Sequence, residues 1–149
     1  MTRHVAVVTT VDSQVLTLFA SGLADLRAHR GGDAIVRELL TVTGGDHEAA
    51  LADLVARGCL TAAYDDGDLR GFAVVSSGPP VTIQGLFVRP EDRRQGWGGT
   101  LLKALLESDR PPVDAWALPG DRGMKSIYEK AGWKARLLTM SDARDSDAE

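Results

Sequence analysis

Short apolar runs rich in β-branched residues recur along the chain and are separated by glycine, proline and polar clusters. Such runs predict strands, because branched side chains pack well on a pleated surface and the breaking residues mark turns. The run at Val81–Val88 lacks clean alternation, which is typical of a strand covered on both faces. The predicted strands are His4–Thr10, Cys59–Tyr64, Leu69–Ser76, Val81–Val88, Val113–Leu118 and Trp133–Met140.

Other segments place apolar residues at helical spacing and predict amphipathic helices. Aspartate or serine can cap several of them, and glycine or proline follows most. The predicted helices run from Asp12 or Ser13 to near His29, from Asp33 to about Thr43, from Asp46 to about Gly58, from Thr100 to Ser108, and from about Arg122 to Lys130.

The stretch Val81–Asp109 combines a strand, a glycine-rich turn and a helix in that order, and the turn, Arg93–Gly99, holds three glycines and two arginines. The first turn of a helix presents free N–H groups that attract anions, and glycines let a pyrophosphate approach. On this pattern alone, a tight strand-to-helix connection is an equally good interpretation. A Walker A motif is excluded because no Gly-Lys-Ser or Gly-Lys-Thr follows.

The segment LFVRPEDRRQGWG at 86–98 contains Arg-x-x-Gly-x-Gly after a strand and resembles the acetyl-CoA motif of the GNAT superfamily of N-acetyltransferases. Downstream, IYEKAGW at 127–133 is similar to the Leu-Tyr-Glu-Lys-x-Gly-Phe segment that ends this domain. Two motifs in the family order are more specific than either alone. The resemblance extends over Leu69–Trp133.

The resemblance implies an α/β (α+β) fold in one domain at 1–140, with a central mixed, mostly antiparallel sheet of about six or seven strands flanked by about four helices. It implies direct transfer of an acetyl group from acetyl-CoA, the acyl-donor cosubstrate, to a primary amine of a small molecule or peptide. The residues expected to bind the cosubstrate are Leu86, Phe87, Val88, Arg93, Arg94, Gln95, Gly96, Trp97, Gly98, Gly99, Thr100 and Asp121.

The resemblance places Tyr128 at the coenzyme A sulfur, as the group that assists the leaving thiolate. A phenol near pKa 10 is a weaker acid than a thiol near 8.5, so complete proton transfer is uphill by about 2 kcal/mol. Either cations such as Lys125 or Lys130 lower the pKa of Tyr128, or its hydroxyl donates a hydrogen bond and keeps its proton. A half-buried helix tyrosine beside Trp133 is the alternative without a catalytic role.

The acceptor amine must lose a proton, because an alkylamine of pKa about 10.4 is neutral only roughly once in 2,500 molecules at pH 7, a handicap of roughly 4.6 kcal/mol. Trp116 occupies the strand position of a glutamate base in several relatives, and Gln84 lies near another such position. Asp114 shares the strand face of Trp116 and is the first candidate base, although a solvated carboxylate is the simpler interpretation. His29, an acidic residue of the N-terminal half and bulk water are further candidates.

Asp121 stands where many relatives have a pantetheine-binding asparagine, and it is equally suited to capping the helix that carries Tyr128. Cys59 has no identifiable histidine partner and is expected in the core. No metal site is expected, because the three histidines are scattered without ligand spacing.

Composition and charge add information on the number of domains and on the class of ligand. The chain has 149 residues, 44% of them hydrophobic, which suits one domain with a sizeable core. The net charge of −4 argues against nucleic-acid binding, but residues 85–136 hold 10 basic and 7 acidic residues, against 6 and 10 in residues 1–84. The excess of positive charge thus falls where a polyphosphate is expected. The acidic segment 141–149 is expected to be disordered.

A single cysteine fits a reducing compartment, and the chain lacks the apolar core of a signal peptide and a run long enough to span a membrane, so a cytoplasmic protein is expected. The family also allows for a homodimer. The main rival function is an inert acyl-CoA-binding sensor or partner domain. A dinucleotide-binding oxidoreductase is a weaker rival, because no acidic residue suited to a ribose follows the glycines at the expected distance.

Overall fold

The computed structural model describes residues 2–138 and 140, and a five-stranded sheet in the order β1-β2-β3-β4-β5 forms its centre. Strands β1 to β4 pair antiparallel with their neighbours, whereas β5 lies parallel to β4. A parallel neighbour requires a crossover, which the helix between β4 and β5 supplies. The strands are β1 Arg3–Val7, β2 Leu60–Asp65, β3 Asp68–Val75, β4 Thr82–Val88 and β5 Asp114–Ala115.

Four α-helices and two short 3-10 turns connect the strands in the described part of the chain, and a fifth helix follows the last strand. Aspartates at positions 12, 46 and 121 each accept a hydrogen bond from a backbone N–H of the first turn and so fix three of the helix starts. The helices are α1 Ser13–Arg27, α2 Gly32–Leu40, α3 His47–Ala56, α4 Trp97–Leu106 and α5 Arg122–Lys130, and the 3-10 turns are Thr41–Thr43 and Pro90–Asp92.

The sheet separates two apolar clusters because alternate residues of a strand point to opposite faces. On one face, Phe72 and Phe87 pack with residues of α1, α2 and α3. On the other face, Ala73 and Leu86 pack with residues of α4 and α5, including Trp97. The central strands are therefore buried on both sides, as the continuous apolar run at 81–88 predicted.

Most predicted elements are found, but the C-terminal part differs. The predicted strand Val113–Leu118 is reduced to Asp114–Ala115, because the chain turns away from β4 after two paired residues. The predicted strand Trp133–Met140 is wrong for residues 133–138 and 140, which pair with no strand and leave Leu137 and Leu138 largely exposed. The described residues thus form five strands rather than six or seven, and five helices rather than about four. The segment 141–149, predicted to be disordered, lies outside the described residues.

The predicted helix at Thr100–Ser108 starts earlier, at Trp97, so Gly98 and Gly99 belong to its first turn. None of the described helices has the length and apolar character needed to cross a membrane.

Asp92 anchors the turn that follows β4. Its carboxylate is buried and accepts hydrogen bonds from Arg89 at 2.6 Å and Arg70 at 2.9 Å. Burial acts to raise the pKa of this carboxyl, but the hydrogen bond and charge of Arg89, together with Arg70, outweigh burial and hold the pKa below its ordinary value. The turn is therefore tied to both β3 and β4.

Gly98 allows α4 and α5 to approach closely. A Cβ atom at this position would lie 2.4 Å from the Ile127 Cδ1 atom, whereas a Cβ at the next residue, Gly99, would meet no atom within 4 Å. The two adjacent glycines consequently serve different purposes, one in packing and the other at an open surface.

We predict that Asp92→Asn lowers the free energy of unfolding by about 2 kcal/mol, because charged hydrogen bonds to two arginines are weakened. Because folding lowers the pKa of Asp92, its carboxylate contributes its full stabilisation of the folded state above about pH 4. This contribution is lost as the pH falls further. Urea unfolding at neutral and acidic pH measures the difference, which should shrink in acid. Glu91→Gln is the control, since Glu91 is 66% exposed and 3.7 Å from Arg89; an equal loss in both variants would contradict the assignment.

We also predict that Gly98→Ala lowers the free energy of unfolding by about 1–3 kcal/mol through overpacking against Ile127. Gly99→Ala should leave stability unchanged or raise it by up to about 1 kcal/mol, because alanine is the better helix former and has space. Urea unfolding of the pair provides the measurement. Equal stabilities of the two variants would show that the helix contact at Gly98 is unimportant.

Candidate active site

The ladder between β4 and β5 ends abruptly. Only Thr82 and Ile83 pair with Asp114 and Ala115, and the Trp116 N–H donates the last bond to the Ile83 carbonyl at 2.9 Å. Beyond this point β4 continues to Val88 while the other chain leads away. A gap therefore opens beside the C-terminal half of β4.

A β-bulge turns the backbone of β4 towards that gap. Val74 pairs with Gly85 but the next residue of β3 pairs with Ile83, so Gln84 is an extra residue. The Arg89 N–H donates to β3, and neighbouring residues of a strand direct their backbone groups to opposite sides. Leu86 and Val88 consequently direct their N–H groups away from β3.

The glycine turn leads from β4 into α4. Gly96 has φ of 84°, in the left-handed region where glycine is favoured, and it precedes the first turn of α4. The first N–H groups of a helix have no partner inside the helix, and here the open side of Gly99 leaves them accessible. Trp97 is 2% exposed, so its side chain belongs to the core and only its backbone is available to a ligand.

Arg3 of β1 was not predicted as part of this region. Its guanidinium donates to the Gln95 carbonyl at 2.6 Å and to the Thr100 hydroxyl at 3.0 Å, and it lies 4.0 Å from the centroid of the Trp97 ring. These contacts span more than 90 residues of sequence, and nothing in the first strand signals them. Arg3 adds a third cation near the turn, next to those of Arg93 and Arg94.

Arg93, the first residue of the motif, points towards α1. Its Nε–H donates to the Val88 carbonyl at 3.0 Å, its guanidinium lies 5.2 Å from the centroid of the Phe87 ring, and one terminal nitrogen lies 3.7 Å from an Asp25 carboxylate oxygen. Arg93 therefore links the gap beside β4 to the helix α1.

Tyr128 lies on α5, is 6% exposed and stacks on Trp133 with a centroid distance of 5.6 Å. Its hydroxyl is buried and has no hydrogen-bond partner among the described residues. Burial, and secondarily the charge of Asp121, raise the pKa of Tyr128 well above its ordinary value. Of the two alternatives for Tyr128, the raised pKa favours a hydroxyl that keeps its proton and donates a hydrogen bond over one made more acidic by Lys125 or Lys130.

Asp121 does cap α5, since its Oδ1 accepts from the Met124 N–H at 3.0 Å. It also meets two residues of the N-terminal half. A carboxylate oxygen of Asp25, a ring nitrogen of His29 and a carboxylate oxygen of Asp121 all lie within 4.8 Å of one another, and each of the three residues is half-buried. His29 was one of the candidate bases in the sequence analysis, but no sequence pattern predicted that it lies close to Asp121.

Asp114, the first candidate base, lies near the start of β4. It is exposed, and its carboxylate accepts a hydrogen bond from the Thr82 hydroxyl at 2.5 Å. Thr82 is four residues from Leu86, a separation of about 13 Å along a strand. Cys59 is buried in the core, as expected.

Two depressions lie near the N-terminal helices. A small apolar cavity extends between α1 and the sheet, where Leu26 and Gly22 face Gly85 and Leu86. A larger, open depression is lined by the end of α1, by α2 and by the segment that follows, and it includes no residue of β4, α4 or α5. The first cavity is therefore the one that adjoins the gap.

The model of the acetyltransferase (GNAT) family matches residues 34–133. No curated protein sequence matches the chain.

Solved structures of similar fold include three acetyltransferases. A GNAT family acetyltransferase from Bacillus cereus is 16% identical with a TM-score of 0.63, covering 98% of this chain and 92% of that chain. The ribosomal-protein-S18-alanine N-acetyltransferase of Escherichia coli is 15% identical with a TM-score of 0.59, covering 91% and 80%. The aminoglycoside N-acetyltransferase AAC(6')-Iy, solved with a bisubstrate analogue, is 17% identical with a TM-score of 0.55, covering 95% and 99%. The fold and the family match together establish that this chain is an acetyltransferase of the GNAT family.

Proposed function

We propose that the protein transfers an acetyl group from acetyl-CoA to a primary amine of a small molecule or peptide by direct transfer. The observation that carries this proposal is the gap beside β4, which has an open glycine turn at one end and the unpartnered Tyr128 hydroxyl nearby. Such a site offers donors for a pyrophosphate, a thioester and a thiolate in one connected region.

The residues present fit the cosubstrate. The first turn of α4 provides unpaired N–H groups, and cations at Arg3 and Arg94 lie in or beside the turn. Leu86, Phe87 and Val88 have buried side chains, so Leu86 and Val88 would act through their backbone N–H groups, whereas the N–H of Phe87 faces β3. The pantetheine arm would lie along this part of β4, where the strand has no partner on the side of β5 among the described residues.

The backbone of β4 would polarise the acyl carbonyl. An N–H group that is fixed by the sheet needs no reorganisation when negative charge develops on the carbonyl oxygen. A well-placed donor of this kind contributes roughly 3–4 kcal/mol to the stabilisation of that charge. Acetyl-CoA supplies the activated acyl group as a thioester, and the Leu86 and Val88 N–H groups are the donors that we assign to it.

Tyr128 would stabilise the departing sulfur. Its buried hydroxyl has a free proton to donate, and its raised pKa means that it gives a hydrogen bond rather than the proton itself. A buried hydroxyl without a hydrogen bond destabilises the folded protein by about 1–3 kcal/mol. A thiolate that accepts a hydrogen bond from this hydroxyl would remove that penalty.

An amine acceptor is supported by the variety of the structural relatives, whose names record aminoglycoside, ribosomal-protein alanine and diaminobutyrate acetylation. The role of Asp114 as the base stays a prediction. Its position beside Thr82 gives that role little support.

The second candidate function is an acyl-CoA-binding sensor or partner domain without turnover. It is favoured by Trp116, which stands at a position where several relatives have a glutamate base, and by Gln84, which lies near another such position. An assay of thiol release distinguishes the two functions, because a sensor binds acetyl-CoA but releases no thiol on any amine.

We predict steady thiol release when the protein is given acetyl-CoA and a panel of polyamines, aminoglycosides, amino acids and N-terminal peptides. Mass spectrometry of the acceptor checks that the acetyl group has moved to nitrogen. Binding of acetyl-CoA by calorimetry, together with release at the background rate for every amine, would favour the sensor.

We predict that Tyr128→Phe lowers kcat at least about 10-fold, because one charge-assisted hydrogen bond of about 1.5–3 kcal/mol is lost. The Kd for acetyl-CoA should change much less, since the bond forms fully only with the departing sulfur. Tyr64→Phe is the control, because Tyr64 is on β2 and packs against the opposite core. Unchanged turnover in Tyr128→Phe would remove Tyr128 from the mechanism.

A further inference from the structure

We propose that Asp25, His29 and Asp121 form the site that binds the acceptor as an ammonium ion, with the His29 Nε2 atom as the base that removes its proton. The proposal rests on the proposed acetyl transfer and deepens it by assigning the acceptor site and the acceptor class.

The three residues come from the end of α1 and the start of α5. Asp25 is in the last turn of α1, His29 follows four residues later, just beyond the helix, and Asp121 precedes α5. One ligand atom from each lies within 4.8 Å of the others. Gly31, just after α1, also lies against Leu118, because a Cβ there would be 3.5 Å from the Leu118 side chain. The chain after β5 is thereby held against the end of α1.

The hydrogen bonding of His29 determines which nitrogen is basic. Its Nδ1 atom lies 2.9 Å from the Asp25 backbone carbonyl oxygen. A carbonyl oxygen only accepts hydrogen bonds, so Nδ1 must carry the proton in the neutral ring. The Nε2 atom then has a free lone pair, and a general base needs such a lone pair.

Tyr128 is a neighbour of this cluster. Its hydroxyl is buried without a partner among the described residues, and the charge of Asp121 acts on it, so Asp121 and Tyr128 lie close together without a hydrogen bond between them. The apolar cavity supplies a second connection, because Leu26, next to Asp25 on α1, and Leu86 of β4 line it together. The cluster thus adjoins both the donors on β4 and the hydroxyl on α5.

The charge of the cluster indicates the acceptor class. Two carboxylates, Asp25 and Asp121, face one cation, Arg93, which lies 3.7 Å from Asp25. The site therefore has one uncompensated negative charge, which an ammonium group would neutralise. A carboxylate on the carbon beside the amine would be repelled. We infer an acceptor that carries a primary ammonium without an adjacent carboxylate.

The proton balance of the step is simple. An ammonium N–H bond breaks and a His29 Nε2–H bond forms, and His29 later releases this proton to solvent. The neutral nitrogen takes the acyl group of the thioester, so a C–N bond forms as the C–S bond breaks. The sulfur keeps the electron pair of the C–S bond and receives the second amine proton. Asp25 and Asp121 stabilise the protonated imidazole.

The first test compares His29→Gln with His47→Gln in the full-length protein. His47 is the first residue of α3 and touches none of the cluster, so it controls for the loss of an imidazole. We expect His29→Gln to lower kcat/KM roughly 100-fold or more, because a positioned base contributes about 10²–10⁴. Binding of acetyl-CoA should not change.

The second test measures the imidazoles directly by long-range ¹H–¹⁵N NMR, which is simple because the chain has three histidines. We expect the Nδ1-protonated form at His29, and a shift of its Nε2 resonance when phenethylamine is added. Phenylalanine, which differs from phenethylamine by one carboxylate, should cause little shift. Zn²⁺ alone is the control for a metal site.

Three outcomes would overturn the proposal: wild-type kcat/KM in His29→Gln, His29 resonances that no amine moves, or saturation of His29 by Zn²⁺ together with a requirement for Zn²⁺ in turnover. If the wild-type protein releases no thiol on any amine, the proposed acetyl transfer fails by itself. The NMR titration then still decides the acceptor site, because amine-dependent shifts support it and their absence contradicts it.

Discussion

The separation of β4 from β5 is the constraint on which the candidate active site depends. A buried strand must satisfy its backbone groups, and β4 has a partner on only one side after Ile83. The bulge at Gln84 directs the remaining N–H groups into the gap, and Arg93 occupies one carbonyl there. The apolar residues of α1 pack in the cluster on one face of the sheet, and those of α4 and α5 pack in the cluster on the other face, so β4 lies between the helices that surround this gap.

Much of this fold could be predicted from the sequence because local chemistry determines it. The apolar run at 81–88 and the glycines that follow define a strand, a turn and a helix without reference to distant residues. The bounds of α5, Arg122–Lys130, agree with its apolar spacing and its aspartate cap. The expected strand at Trp133–Met140 was wrong for its described residues, because a strand needs a neighbouring edge as well as suitable residues.

The candidate site was only partly predictable, since half of it forms through contacts between distant parts of the chain. Gly96 and Tyr128 stand out because each belongs to a recognisable motif. Arg3 and Asp25 do not, because an arginine in a first strand and an aspartate on a helix are ordinary solvated residues in a sequence. Only the packing of α1 and β1 against later elements gives them neighbours. The acceptor side of such an enzyme is therefore the part that a sequence describes least.

Arg93 contacts the backbone of β4 and, through Asp25, the helix α1. A molecule that binds along β4 and a molecule that binds at α1 therefore share a neighbour. We expect the affinities for the two molecules to be thermodynamically linked, and such a linkage is reciprocal: the factor by which the first molecule changes the affinity of the second equals the factor for the reverse. The degree of cooperativity between the two substrates would then depend on one guanidinium group.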